Sequence, residues 1–95
     1  MKDISFKAGN AFNQNKKSSQ SNTLVTVNNG RTEMILHGNL IAYKEDGKLF
    51  ITNCGWFTNV TKDRLNAIDG VSVNQKAGDW YLNGVKWNGK LIEVK

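Results

Sequence analysis

The stretch TLVTVNNGRTEMIL, residues 23–36, decides how the chain is read. Two runs rich in β-branched residues flank Asn29-Gly30, and that pair tolerates the positive φ values of a tight two-residue turn. The stretch therefore predicts an antiparallel hairpin. The next segment, GNLIAYKEDGKLFITN at 38–53, repeats the pattern around a turn at Glu45 to Gly47. Leu40, Ala42, Leu49 and Ile51 share one face by alternation, and Ile41, Tyr43, Phe50 and Thr52 share the other. Apolar groups on both faces place this pair centrally in a sheet. Gly38 is expected to mark a bend or bulge inside a long strand.

After the strands comes the one helix the sequence announces, residues 61–68. Thr61 is an N-cap candidate, since its hydroxyl can accept from a free amide of the first turn. Val60 and Leu65 then stand at the spacing of a hydrophobic staple. Gly70 fits the left-handed position past the helix end, with Val71 placed to touch the last turn. Leu65 and Ile68 form the buried stripe. The last third returns to strand and turn. KAGD at 76–79 leads into WYL, Asn83-Gly84 and Asn88-Gly89 are further turns, and Leu91, Ile92 and Val94 end in a strand.

Upstream of residue 23 the composition changes. Residues 7–22, KAGNAFNQNKKSSQSN, hold Phe12 as their only large apolar group, too little to offset the entropy of ordering them. Residues 1–22 are read as a flexible basic segment, with a short docked strand at Ile4 and Phe6 left open. The remainder, 23–95, is read as one domain. The expected class is α+β: an antiparallel sheet of about five or six strands with one short helix.

The net charge of +5 favours an anionic partner, nucleic acid or an acidic protein face. Its excess is concentrated early: Lys2, Lys7, Lys16 and Lys17 stand against Asp3. These lysines either aid solubility or form an arm that touches phosphate. No apolar run approaches the ~20 residues that cross a bilayer, and the first residues lack a secretory apolar region. One cysteine excludes an internal disulfide framework, and one Cys with one His cannot close a structural zinc site. No metal and no cofactor is expected.

Cys54, at the start of NCGWFTN, has two readings. A thiolate nucleophile needs a base within reach, and His37, the only histidine, is the one candidate for a dyad. Against this, free cysteine is most often buried packing, and no cysteine-protease signature or nucleophile elbow is present. The buried thiol is the stronger reading, and His37 reads as a polar residue on a strand. Asp63, Asp69 and Asp79 are spread over turns and helix ends, with no pair placed for acid and base work. Neither a Walker motif nor a dinucleotide fingerprint occurs.

Aromatic and basic residues interleave in the second half, and they supply the candidate binding residues Trp56, Phe57, Lys62, Arg64, Tyr81, Lys86, Trp87 and Lys90. Such a face suits stacked bases and phosphate, or a protein partner, since hot spots favour Trp, Tyr and Arg. The competing reading makes Trp56, Trp80 and Trp87 the core of a small domain. Trp80 and Tyr81 are adjacent in a strand, so they point to opposite faces.

Across residues 37–90, the pattern "GN-IA", "ITNCGWFTN-TK-RLNA", "GV", "WYLNG" and "W-G" resembles small accessory proteins of tailed bacteriophages that have no assigned activity. The resemblance leaves the N-terminal segment outside it and supplies no catalytic residues. It implies expression in the cytoplasm of an infected bacterium. By analogy it implies a non-enzymatic binding protein that inhibits a host factor, with an anti-CRISPR or other anti-defence role as one form. The partner would be a host or phage protein complex, of undetermined stoichiometry. A nucleic-acid-binding accessory protein is the alternative, and a small Cys54-dependent enzyme is the third reading.

Overall fold

The computed structural model describes residues 2–95. The hairpin at residue 23 is present: β2 (Thr23–Asn28) pairs antiparallel with β3 (Arg31–Leu36), and the residues between them, Asn29 and Gly30, both have positive φ. The same device recurs. Asp46-Gly47 joins β4 (Asn39–Glu45) to β5 (Lys48–Ile51), again with both φ values positive. His37-Gly38, at φ 50° and 79°, joins β3 to β4. Gly38 is thus half of a hairpin turn, not a bend inside a strand, and His37 stands on the turn. Histidine is among the few non-glycine residues enriched in this conformation.

The irregularity expected near Gly38 lies a few residues on. The β3–β4 register shifts between Met34 and Ile35, whose partners are Ala42 and Leu40, so Ile41 is an extra residue. A bulge of this kind breaks strict alternation. Ile41 and Ala42 are consecutive, and both are buried.

Two short strands complete the main sheet. β1 (Ser18–Gln20) adds to β2, and β9 (Ile92–Val94) adds to β5, giving the order β1-β2-β3-β4-β5-β9. A second sheet of three strands contains β6 (Val73–Lys76), β7 (Asp79–Leu82) and β8 (Val85–Lys86). Ala77-Gly78 and Asn83-Gly84 turn between them. The α+β class therefore holds, with nine strands in two antiparallel sheets.

Among the described residues two helices are present rather than one. The predicted helix is α2 (Asn59–Asn66), and it starts earlier than expected. Its N-cap is Thr58, whose hydroxyl accepts from the Thr61 amide at 3.2 Å. Thr61 is buried inside the first turn, so Val60 is helical and the proposed staple does not form.

The second helix, α1 (Asp3–Asn13), occupies the segment read as flexible, and no strand forms at Ile4 and Phe6. Its buried positions, Ser5, Ala8, Gly9 and Phe12, follow the i, i+3, i+4, i+7 pattern of one helix face. Three of them are small, which is why the segment looked too polar to fold. Small side chains let backbones approach: a Cβ placed on Gly9 would overlap the Cβ and the carbonyl of Ala67. α1 packs on β1, β2, β3 and α2, and Phe12 is fully buried.

Arg64 ties these parts together. Its side chain is 2% exposed. Nε donates to the Thr23 hydroxyl at 2.8 Å, one terminal nitrogen to the Ser5 hydroxyl at 2.5 Å and the other to Asn22 Oδ1 at 3.2 Å. The Ser5 hydroxyl in turn donates to Asp63, whose carboxylate lies 3.6 Å from Arg64. One side chain of α2 thus joins α1 to the start of β2 and the turn before it. Planar guanidinium with five donors suits such a three-way bond. Burial lowers the Arg64 pKa, and Asp63 opposes that shift.

Leu24, Ile35 and Leu40 lie in register across three strands. Tyr43 and Phe50 stack at 4.9 Å, with the Arg31 guanidinium over the Tyr43 ring at 3.8 Å.

Candidate interaction site

The site grows out of the turn that follows β5. Thr52 and Asn53 anchor it: the Asn53 amide and the Thr52 hydroxyl both donate to the Gly89 carbonyl, at 2.9 and 2.8 Å. Asn53 is buried, and Gly89 lies against its side chain so closely that a Cβ there would overlap it. Cys54 and Gly55 then take φ 54° and 82°, and the Trp56 amide closes the turn on the Asn53 carbonyl at 2.8 Å. Asn53 Oδ1 also accepts from the Gly55 amide at 2.8 Å.

This corrects the reading of Cys54. It is not a packed thiol at a strand end but an exposed residue on a tight turn of the kind seen in the hairpins. Its sulfur donates to the Leu40 carbonyl at 3.0 Å. Desolvation of the sulfur pushes the thiol pKa up, against a smaller opposite effect of Thr52. That is the reverse of the shift an activated thiolate needs. His37 bonds elsewhere, with its ring nitrogen 3.4 Å from the Asn22 amide nitrogen.

The turn delivers Trp56 and Phe57 to the surface, 56% and 57% exposed, just before the Thr58 cap starts α2. The two rings form a ridge with a cleft on each side. Trp56 borders a cleft of about 270 Å³, also lined by Leu36, His37, Ile41 and Val60. Phe57 borders a wider one of about 600 Å³, with Trp80, Trp87 and Ile92 along it and Asp79 and Lys86 at its margin. Phe57 meets Trp80 edge to face at 5.2 Å, and Trp80 lies 6.2 Å from Trp87. The ridge is therefore backed by a buried aromatic cluster.

The other candidate residues divide. Lys86 reaches the cleft and sits 3.5 Å from Asp79. Lys90 is exposed, and its carbonyl accepts from the Trp87 indole at 2.9 Å. Lys62 is half-buried, bonded to Gln75 at 2.8 Å with its amine 5.7 Å from the Trp80 ring. Tyr81 is half-buried on the face of β7 opposite buried Trp80, as alternation required. Trp87, 6% exposed, is core that backs the cleft. Arg64 is core as well, and neither offers its side chain as a free surface. Of the early lysines, Lys2 and Lys7 precede and belong to α1, and Lys7 pairs with Asp3 at 3.3 Å. Lys16 and Lys17 are exposed in the link to β1.

Sequence reasoning missed the two clefts, because their walls come from distant segments. The Cys54-Gly55 turn was legible: it has the same residue-then-glycine form as the hairpin turns. Among the described residues no cluster of three or more His, Cys, Asp or Glu could hold a metal, and no helix is long and apolar enough to cross a membrane.

The sequence matches the profile of the family described as Kyanoviridae Gp96 protein over residues 1–93. The chain belongs to that family. It is a phage family, so the resemblance to phage accessory proteins holds, and the match takes in the N-terminal segment that the resemblance had left outside. Neither a curated protein nor a solved structure matches the chain.

Proposed function

We propose that this member of the Kyanoviridae Gp96 family acts in the host bacterial cytoplasm as a non-enzymatic binding protein that inhibits a host factor. The observation that supports this is the Trp56–Phe57 ridge. Two adjacent large aromatic side chains are more than half exposed on a turn held by hydrogen bonds donated by Thr52, Asn53, Gly55 and Trp56. Exposed aromatics beside preformed clefts are the usual composition of an interface anchor. A rigid anchor loses little conformational entropy on binding, which favours tight, stoichiometric occlusion of a partner. A host defence complex, such as a CRISPR effector, is one target of this kind. Inhibition by occlusion requires no catalytic group.

The test is capture from infected cells with tagged wild-type protein, Trp56→Ser and Phe57→Ser. Wild type should retain one host protein in stoichiometric amount. Trp56→Ser should lose it at unchanged melting temperature, and Phe57→Ser should lose it with a small drop in melting temperature, since its ring also meets Trp80. Equal capture by all three proteins would place the partner elsewhere. The nucleic-acid reading draws on the net charge of +5. It predicts oligonucleotide binding that weakens steeply with salt and that Trp56→Ser weakens further through lost base stacking.

A further inference from the structure

We propose that the outer edge of β9, with the cleft beside it, docks an extended acidic segment of a protein partner, which joins the main sheet as an added strand. This deepens the binding reading above and rests on it.

The first observation is topological. β9 ends the strand order, so one side of its backbone has no strand partner. An open strand edge is a template for another chain, and proteins commonly blunt such edges with polar or charged residues. The opposite edge of the sheet fits that rule: β1 is Ser-Ser-Gln, preceded by Lys16 and Lys17. β9 does not. Leu91 and Ile92 are 57% and 41% exposed at its start.

The second observation is the cleft. Ile92 lines it together with Phe57 and Trp87, so the apolar floor begins where the strand edge begins. Strand addition uses two elements: backbone hydrogen bonds along an edge, and a pocket that takes alternate side chains of the added strand. Both are adjacent here. Ile92 pairs with buried Ile51 and Glu93 with Phe50, so Ile92 and Glu93 face opposite sides.

The third observation is charge. Lys86, paired with Asp79 at 3.5 Å, lines the cleft, and Lys90 and Lys95 flank a strand that contains Glu93, so three lysines stand against two carboxylates around this edge. A segment with an apolar residue for the cleft and carboxylates beside it matches this surface. A second copy would bring the same lysines, and a net charge of +5, against each other.

The experiment uses isotope-labelled full-length protein and two peptides. One is acetyl-Glu-Val-Asp-Phe-Glu-Val-Asp-amide, and the other carries Lys at every acidic position. The acidic peptide should shift the amides of Leu91 to Val94 and the Trp87 indole. It should bind roughly tenfold more tightly than the basic one, and more weakly as salt rises. Lys86→Glu with Lys90→Glu should reverse the preference, and both sites are exposed, so folding is retained. Ile92→Asp should remove the response. Equal response to both peptides, or shifts confined to another face, would overturn the proposal. So would β9 shifts that track protein concentration without peptide, or the same shifts with oligothymidylate. If the peptides fail at β9 while Trp56→Ser still loses its captured partner, only the edge-docking inference falls. If Trp56→Ser captures normally, the ridge reading falls.

Discussion

Replacing Arg64 with methionine tests the account of how the two helices are held. Three hydrogen bonds from a charged donor disappear, to Thr23, Ser5 and Asn22. Each contributes about 1.5–3 kcal/mol net of the hydrogen bonds to water that it replaces. Their sum is an upper bound, because methionine avoids the cost of desolvating the guanidinium. The acceptors also keep other partners: the Ser5 hydroxyl still reaches Asp63, and the Thr23 hydroxyl still reaches Asn22. Asp63 loses its neighbouring cation. Breaking one side of a buried charged cluster costs about 3–5 kcal/mol, and the retained partners place this case near 3 kcal/mol. For a domain of this size that lowers the melting temperature on the order of 15 °C. Urea unfolding followed by the fluorescence of buried Trp80 and Trp87 gives the free energy directly. Arg64→Lys should recover little of the loss, since one ammonium cannot span three acceptors. A methionine variant within ~0.5 kcal/mol of wild type would refute the reasoning. So would one that lost partner binding at unchanged stability, which would restore Arg64 to the surface.

Three further outcomes follow from the same geometry. Gly84→Ala and Gly89→Ala both force alanine to a positive φ near 85°, but only Gly89 lies against Asn53. Gly84→Ala should cost about 1–2 kcal/mol and Gly89→Ala about 1–3 kcal/mol more, read by urea midpoints. Burial raises the pKa of Asp63, but the Ser5 hydroxyl, the Lys2 amide and Arg64 outweigh it, so the net shift is downward. The unfolded state then binds more protons in acid, and the stability from Asp63 is present above the ordinary carboxylate range near 4 and lost as pH falls through the folded value. Asp63→Asn should flatten the acid limb of the stability profile, and an unchanged limb would contradict the assignment. Cys54 should alkylate more slowly at neutral pH than a free thiol, and Cys54→Ser should leave partner capture intact; rapid alkylation with loss of function would revive the enzyme reading.

What the sequence made legible was local. Asn29-Gly30 and Asp46-Gly47 carry their turn chemistry in two adjacent residues, and the strands on either side alternate. Trp80 and Tyr81 had to face apart. Trp56 and Phe57 stood out as candidate surface residues of their stretch, and both are exposed. The features that were missed depend on contacts distant in sequence. α1 buries small residues against Ala67, so its hydrophobic signal is weak although its packing is close. Arg64 looks like an interface residue until Ser5, Thr23 and Asn22 are placed around it. Thr58 and Thr61 are equally good caps by residue type; Thr58 is the cap, and Thr61 is buried within the first turn with its amide donating to the Thr58 hydroxyl. His37 reads as a strand residue unless the residue-then-glycine turns are recognised as a recurring device.

The central claim is that the Trp56–Phe57 ridge meets a host protein. A photo-crosslinking amino acid placed at position 57, with position 85 as an exposed apolar control on β8, tests it most directly in infected cells. A single crosslinked host protein is expected from position 57 and none from position 85. Crosslinks from 85 but not 57, or crosslinks to nucleic acid alone, would contradict it.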